Sequence, residues 1–120
     1  MSYETFILVN EQTEPKIKSF LEELDFENEN LAIFDCDGFK FKFQIHTADS
    51  VLEESIKMIA GSSIKIENFQ PSKTRIELSG DRDDEEMDYF DQFLDLSGFF
   101  EEQEGCLVFQ LGNGKFTFED

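Results

Sequence analysis

The sequence predicts an α+β domain, with a mainly antiparallel sheet built from hairpins and three helices packed on one face. Turn dipeptides divide alternating apolar runs at residues 31–46 and 106–119, and a hairpin pairs its two strands antiparallel. Three other segments repeat their apolar residues at helical spacing. With 120 residues and no linker, the chain is expected to form one domain over residues 1–120.

The first predicted elements are a strand at residues 3–9 and a helix at residues 13–25. The strand is a short apolar run, and Pro15 lies in the first turn of the helix, where its missing N–H leaves no intrahelical bond unmade. The apolar face of this helix follows the spacing i, i+3, i+4, i+7 and consists of Ile17, Phe20, Leu21 and Leu24.

The hairpin at residues 31–46 has the strongest local signal. Asp37-Gly38 stands between two alternating runs and predicts a two-residue turn, which fixes the strand register. Three cross-strand pairs then share the core face, namely Cys36–Phe39, Phe34–Phe41 and Ala32–Phe43. Asp35 and Lys40 pair on the opposite face with opposite charge.

A second helix is predicted at residues 50–61, where Ser50 and Glu53 can form a capping box and Gly61 can end the helix. Its predicted apolar stripe consists of Leu52, Ile56, Ile59 and Ala60. Two strands at residues 63–69 and 74–79 are expected to follow.

The last predicted elements are a helix at residues 83–96, followed by Gly98, and a hairpin at residues 106–119. The inward residues of the helix are Met87, Phe90, Phe93 and Leu94. An Asn113-Gly114 turn in the hairpin aligns one face made of Leu107, Phe109, Leu111, Phe116 and Phe118.

The composition indicates a folded domain with a highly charged surface. The net charge is −18, and 15 of the 120 residues are Phe, which bring enough apolar area for a core. So much negative charge argues against nucleic acid or anionic membrane as a direct partner, because both are polyanions. It favours the attraction of a basic protein.

The residues that usually carry catalysis or hold metals are few. The predicted register separates Cys36 from His46, the only histidine, by more than about 20 Å, which excludes a nucleophilic pair. Cys36 is interpreted as a core residue and Cys106 as an accessible residue on the outer face of its hairpin, and a pairing of Cys106 with His46 stays open. No calcium loop, phosphate-binding loop, dinucleotide fingerprint or nucleophile elbow occurs. We therefore predict no enzymatic activity, no cofactor and no metal site.

Neither a secretory signal peptide nor a membrane-spanning segment is predicted. Its first residues are acidic rather than basic and apolar, and no apolar run reaches the roughly 18 residues that span a membrane. Two cysteines do not make a disulfide framework. A cytoplasmic location is expected.

The acidic segment at residues 80–98 is the main functional candidate, since it holds eight acids and one base, Arg82. Acids in a first helical turn favour the helix dipole, but that does not account for Asp91 and Asp95 further along. Either the segment is a solvated face or it docks a cationic partner. The candidate partner-binding residues are a stripe at i, i+4, i+7, i+11, the acids around it and one aromatic neighbour: Asp84, Asp88, Asp91, Asp95, Asp81, Asp83, Glu85, Glu101, Glu102, Glu104 and Tyr89. The aromatic residues at 99–100 are expected to lie exposed beside these acids.

In size, acidity, α+β class and lack of a catalytic motif, the chain resembles the small acidic bacterial immunity proteins of contact-dependent inhibition and polymorphic toxin systems. The resemblance implies a non-enzymatic cytoplasmic protein that binds and blocks a toxin, often a basic nuclease. It transfers no residue role, because no motif is shared. Two other functions stay open: a DNA-mimic inhibitor of a nucleic-acid-binding protein, and a housekeeping or ligand-binding domain whose acidity serves only solubility. The oligomeric state is left open.

Overall fold

The computed structural model describes residues 2–62, 69–103, 105–111 and 115–116. Within these residues the chain forms three helices and seven strands. Their order is β1 Glu4–Asn10, α1 Glu14–Leu21, β2 Asp25–Asn28, β3 Leu31–Cys36, β4 Phe39–Thr47, α2 Asp49–Ala60, β5 Pro71–Gly80, α3 Phe90–Glu102, β6 Cys106–Gln110 and β7 Lys115–Phe116.

The described strands form one sheet in the order β2-β3-β4-β5-β1-β6-β7. Each neighbouring pair is antiparallel. Together with the three helices, this sheet confirms the predicted α+β class. β1 lies between β5 and β6, so the first strand of the chain holds the two halves of the sheet together.

The β3–β4 hairpin confirms the register predicted from its turn. Cys36 pairs with Phe39, as predicted, and the other two predicted core pairs and the Asp35–Lys40 pair also form. Asp37 and Gly38 both have positive φ, 50° and 93°, as the two-residue hairpin turn requires. The phenylalanines of β4 therefore alternate into the core, where all three are buried.

The main core lies between one face of the sheet and the helices α1 and α3. Ile17 and Leu21 of α1, with Phe93 and Phe100 of α3, pack in the same cluster as the inward side chains of β1, β4 and β5. Nine aromatic rings in this layer make pairwise contacts, with centroids 4.0–6.4 Å apart. Aromatic contacts therefore make up much of this core.

One part of the predicted architecture is wrong, because α2 does not share a face with α1 and α3. Ile59 of α2 packs with Leu8, Phe69 and Phe116 in a second cluster on the opposite face of the sheet. The physical reason lies in β1, where Ile7, Leu8 and Val9 are all buried in succession. Successive strand residues point to opposite faces, so a continuous apolar run needs cover on both sides.

The buried side of α2 also differs from the predicted stripe. Its buried residues are Val51, Ser55 and Ile59, whereas Ile56 is 39% exposed. The helix starts at Asp49 behind Ala48, which makes no side-chain cap bond, so the predicted capping box is absent. α2 is also tied to the sheet through charges, since Glu54 accepts a hydrogen bond of 2.7 Å from Arg75 of β5.

Smaller differences concern the edges of the sheet. The first helix ends at Leu21, and β2 then forms an edge strand that the sequence pattern did not predict. Every residue of β2 is exposed, so its pairing depends on the backbone and leaves no alternating apolar signal. In the last hairpin, Phe109 and Phe116 share one face, as predicted. The register differs, because Phe116 pairs with Phe109, whereas a two-residue Asn113-Gly114 turn would pair it with Leu111. The predicted Asn113-Gly114 turn and residues 63–68 of the predicted strand 63–69 lie outside the described residues.

Candidate functional site

The acidic segment is a turn followed by a helix, and not one helix from residue 83. Residues 83–89 are non-helical, Met87 has a positive φ of 59°, and α3 then runs from Phe90 through Gly98 to Glu102. The predicted helix at 83–96 is therefore wrong at both ends. Acidic residues are common in a first helical turn, but Asp also bonds to nearby backbone N–H groups, and that competes with helix formation.

Asp84 organises this turn. Its carboxylate accepts hydrogen bonds from the backbone N–H groups of Asp88, at 3.1 Å, and Tyr89, at 2.8 Å. It also accepts a 2.5 Å hydrogen bond from the hydroxyl of Tyr3, a residue 81 positions earlier in the chain. Only 6% of Asp84 is exposed, so the predicted exposed stripe through Asp84 is wrong. Its carboxylate binds the fold instead.

The hydrogen bonds and the burial of Asp84 and Tyr3 shift the pKa values of both side chains. Burial alone would raise the pKa of the Asp84 carboxyl, but the bonds from Tyr3 and the two backbone N–H groups outweigh burial and lower this pKa. Burial and the neighbouring Asp84 carboxylate raise the pKa of the Tyr3 hydroxyl above its ordinary value. Near neutral pH the pair is therefore a neutral donor facing an ionised acceptor.

Aromatic packing holds the turn against the hairpin β3–β4. The Tyr89 ring stacks on Phe39, with centroids 4.6 Å apart. The Arg82 guanidinium lies 4.9 Å from the centroid of the same Phe39 ring and contacts Asp81 at 3.2 Å. Tyr89 and Asp81, both predicted to bind a partner, are half-buried and make these contacts within the fold.

The remaining predicted acids divide by exposure. We define the acidic surface as the exposed acids of the turn and of α3, which are Asp83, Glu85, Glu86, Asp88, Asp91, Asp95 and Glu102. Glu101 is half-buried and accepts a hydrogen bond from Gln110 at 3.3 Å. Glu104 lies outside the described residues. No Lys or Arg occurs between residues 83 and 102, so no basic side chain interrupts this stretch of the sequence.

The helix α3 presents three different sides. Phe93, Ser97 and Phe100 are buried against the core, and helical geometry places Asp91 and Asp95 nearly opposite Phe93. On one flank, Phe99 stacks on Phe20 of α1 with centroids 4.0 Å apart. The expected exposure of the aromatic residues at 99–100 is therefore wrong, since Phe100 is buried and Phe99 is half-buried.

The other flank of α3 carries apolar side chains that were predicted to face the core. Phe90 does pack partly against the main core, as predicted, whereas Leu94 and Met87 do not. Phe90, Leu94 and Gly98 follow one another at i, i+4 and i+8 on this flank. Leu94 is 48% exposed, and Met87, just before the helix, is 46% exposed. The sequence contained a signal for this exposure of apolar side chains, because α3 has more apolar residues than one helical stripe can bury. We call Met87, Phe90, Leu94 and Gly98 the apolar flank.

The cysteines and His46 do not come together. Cys106 lies on the side of the sheet that faces the main core, half-buried, and burial raises the pKa of its thiol to about 11. The predicted outer, accessible position of Cys106 is therefore wrong. His46 contacts Glu77 at 3.0 Å on the opposite face of the sheet. Among the described residues, no three His, Cys, Asp or Glu side chains are grouped closely enough to hold a metal ion.

The described surface has shallow depressions of about 240–360 Å³. One of about 320 Å³ lies over the acidic turn and is lined by Phe39, Arg82, Tyr89 and acids of the turn. The helices within the described ranges are too short or too polar to cross a membrane. No protein-family model, curated protein or solved structure matches this chain.

Gly98 supports a first prediction, because it lies inside a helix with open space beside it. Apart from its chain neighbours and the adjacent helix backbone, a Cβ added there would meet no atom within 4 Å. Gly98→Ala should therefore raise the free energy of unfolding by about 0.5–1 kcal/mol, since Ala has less backbone freedom to lose on folding. Denaturant unfolding measures this change.

Gly105→Ala is the matched control, and the opposite sign is expected for it. Gly105 has φ +86°, and a Cβ there would clash with the Thr13 side chain. A loss of stability in Gly98→Ala would mean that residue 98 is not in an open helical position.

Proposed function

We propose that this chain is a non-enzymatic acidic protein that binds a basic protein and blocks it, as immunity proteins block toxins. The proposal rests on the acidic surface defined above. This surface groups seven exposed carboxylates without an intervening base in the sequence, on a turn and a helix that are held firmly by the fold.

The structural cost of this surface supports the proposal. Asp91 and Asp95 are both exposed and lie at i, i+4 on α3, where like charges destabilise a helix by a few tenths of a kcal/mol. Asp95 also lies beyond the first turn, so the helix dipole does not favour it. A cationic partner would turn this repulsion into attraction and would be steered towards the surface before contact.

Rigidity is a second supporting feature. The turn is held by the buried Asp84–Tyr3 hydrogen bond and by the stack of Tyr89 on Phe39. Carboxylates on such a framework are already ordered before a partner arrives, and this lowers the entropic cost of binding. Acids on a free tail would lose more conformational entropy on binding.

The test uses two variants that remove the same charge from different places. The acidic-surface variant changes Glu85 to Gln and Asp88, Asp91 and Asp95 to Asn, and it leaves the structural Asp84 intact. The control variant changes Glu23, Glu27 and Glu29 to Gln and Asp25 to Asn, around the exposed edge strand β2. Each variant loses four negative charges, so the net charges of the two proteins stay equal.

The partner is first captured from the source cell on the immobilised parent protein, and its association rate is then measured by stopped flow across a salt series. The acidic-surface variant should associate about ten-fold or more slowly at low salt and depend less on salt, because screening acts on exposed charges. The control variant should stay near the parent rate. Equal rates in parent and acidic-surface variant would show that the acids serve only solubility.

A growth assay tests whether the protein blocks a toxin. The captured partner is expressed in a host cell alone, with the parent chain, or with the acidic-surface variant. Rescue by the parent and a weaker rescue by the variant are expected. A partner that is harmless when expressed alone would contradict the immunity function, and a partner that loses DNA binding on contact with the chain would favour DNA mimicry instead.

A further inference from the structure

The apolar flank of α3 lies beside the acidic surface and is open to solvent at its centre. Large apolar side chains scattered singly on a surface need no explanation. Here Met87 and Leu94, nearly half exposed, lie close together in the chain with the half-buried Phe90 between them. Asp91 and Asp95 are the chain neighbours of Phe90 and Leu94, so the flank has an acidic border.

Gly98 adds a notch to this flank. It follows Leu94 by one helical turn, and apart from its chain neighbours and the adjacent helix backbone, no atom lies within 4 Å of the position where a Cβ would stand. Glycine inside a helix costs roughly 1 kcal/mol relative to alanine. The bare backbone at this point lets a side chain of another molecule approach more closely than any other residue type would allow.

The charges around the flank decide what can cover it. A second copy of this chain would bring two proteins of net charge −18 together with their acidic surfaces adjacent, and this repulsion disfavours self-association. A nucleic acid or an anionic membrane would be repelled in the same way. A segment that carries Lys or Arg beside apolar side chains would form ion pairs with the acids and would also bury the apolar flank.

We propose that the apolar flank is the centre of the docking surface, and that it takes a basic amphipathic segment of the partner, with one large apolar side chain seated over Gly98. This inference rests on the proposed function and names the chemistry of its partner. The acids steer the approach, and the flank supplies the buried apolar contact that slows dissociation.

The test uses two synthetic helical peptides of equal length and equal positive charge. One repeats Lys and Leu at amphipathic-helix spacing, and the other has Gln in place of each Leu. The protein variants are Gly98→Met, which fills the notch, and Gly61→Met as the matched control at the end of α2 on the opposite face. A Cβ at Gly61 would meet its nearest atom at 3.5 Å, and Met is a good helix former, so both variants should fold.

Calorimetric titration at moderate salt gives the affinities, and amide chemical shifts give the binding site. The Lys/Leu peptide should bind the parent about ten-fold tighter than the Lys/Gln peptide, because only the first can bury apolar area. Its binding should shift the amide signals of Leu94 and Gly98. Gly98→Met should weaken it about ten-fold, leaving Lys/Gln binding and the Gly61→Met control unchanged.

Two outcomes would overturn the inference, and they differ in what they mean for the proposed function. If the acidic-surface variant weakens both peptides while Gly98→Met weakens neither, the charges bind the partner and the flank does not. The proposed function then stands without this inference. If neither peptide binds the parent even at low salt, both the inference and the proposed function are overturned.

Discussion

Phe41→Ala is expected to lower the free energy of unfolding by about 3–5 kcal/mol, which is the usual cost of removing a buried phenylalanine side chain. Phe41 is completely buried on the core face of β4. Its ring centroid lies 5.8 Å from that of Tyr3, 5.1 Å from that of Phe39 and 6.4 Å from that of Phe93. The cavity would therefore open in the middle of the aromatic layer, where rigid rings cannot easily collapse into it.

Thermal unfolding by circular dichroism measures this effect, and a loss of roughly 10–20 °C in Tm is expected for a chain of this size. Phe26→Ala is the matched control, since Phe26 is 40% exposed on the edge strand β2. It should cost less than about 1 kcal/mol. A Tm for Phe41→Ala within a degree or two of the parent would contradict the observed register of β4.

Asp84→Asn is expected to lower the Tm by about 5 °C or more, although the substitution keeps the size of the side chain. The Asn amide has one acceptor oxygen, whereas the Asp84 carboxylate accepts bonds from the Tyr3 hydroxyl and from two backbone N–H groups. At least one of these three donors would lose its partner. The turn should loosen first, so the amide of Tyr89 should exchange its hydrogen faster than in the parent.

Asp88→Asn is the control for charge, because Asp88 lies in the same turn and is exposed. It also removes one negative charge, but it should leave the Tm unchanged or slightly higher. Equal effects of the two substitutions would show that general charge repulsion, and not the Asp84–Tyr3 hydrogen bond, controls the stability of the turn.

The Asp84–Tyr3 pair makes the free energy of unfolding depend on pH, and the two pKa shifts determine the sign of this dependence. The folded state lowers the pKa of Asp84, so its contribution to stability is present above the ordinary pKa of about 3.9 and is lost as the pH falls further. The folded state raises the pKa of Tyr3, so its contribution is present below about pH 10 and is lost at higher pH. Denaturant unfolding of parent and Asp84→Asn across acidic pH should show the two proteins approaching equal stability as the pH falls. A constant difference down to pH 2 would contradict the lowered pKa.

Local sequence determined the features that need only neighbouring residues. The Asp37-Gly38 turn and the alternation around it set the register of the β3–β4 hairpin, because a shift by one residue would reverse every side chain. The helical spacing at residues 13–25 and 50–61 was enough to locate α1 and α2 approximately. The concentration of acids at residues 80–98 was also readable, although not which of them are exposed.

Tertiary structure decided the rest, because the deciding partners are distant in the chain. α2 packs on the second face of the sheet because Leu8 of β1 needs cover there, and β1 is an interior strand because β5 and β6 pair with its two edges. Asp84 is not part of an exposed acidic stripe, because its carboxylate accepts a hydrogen bond from the hydroxyl of Tyr3, 81 residues earlier in the chain. α3 begins at Phe90, after the turn that this bond holds. Leu94 is exposed beside acids whose positions are known from the sequence.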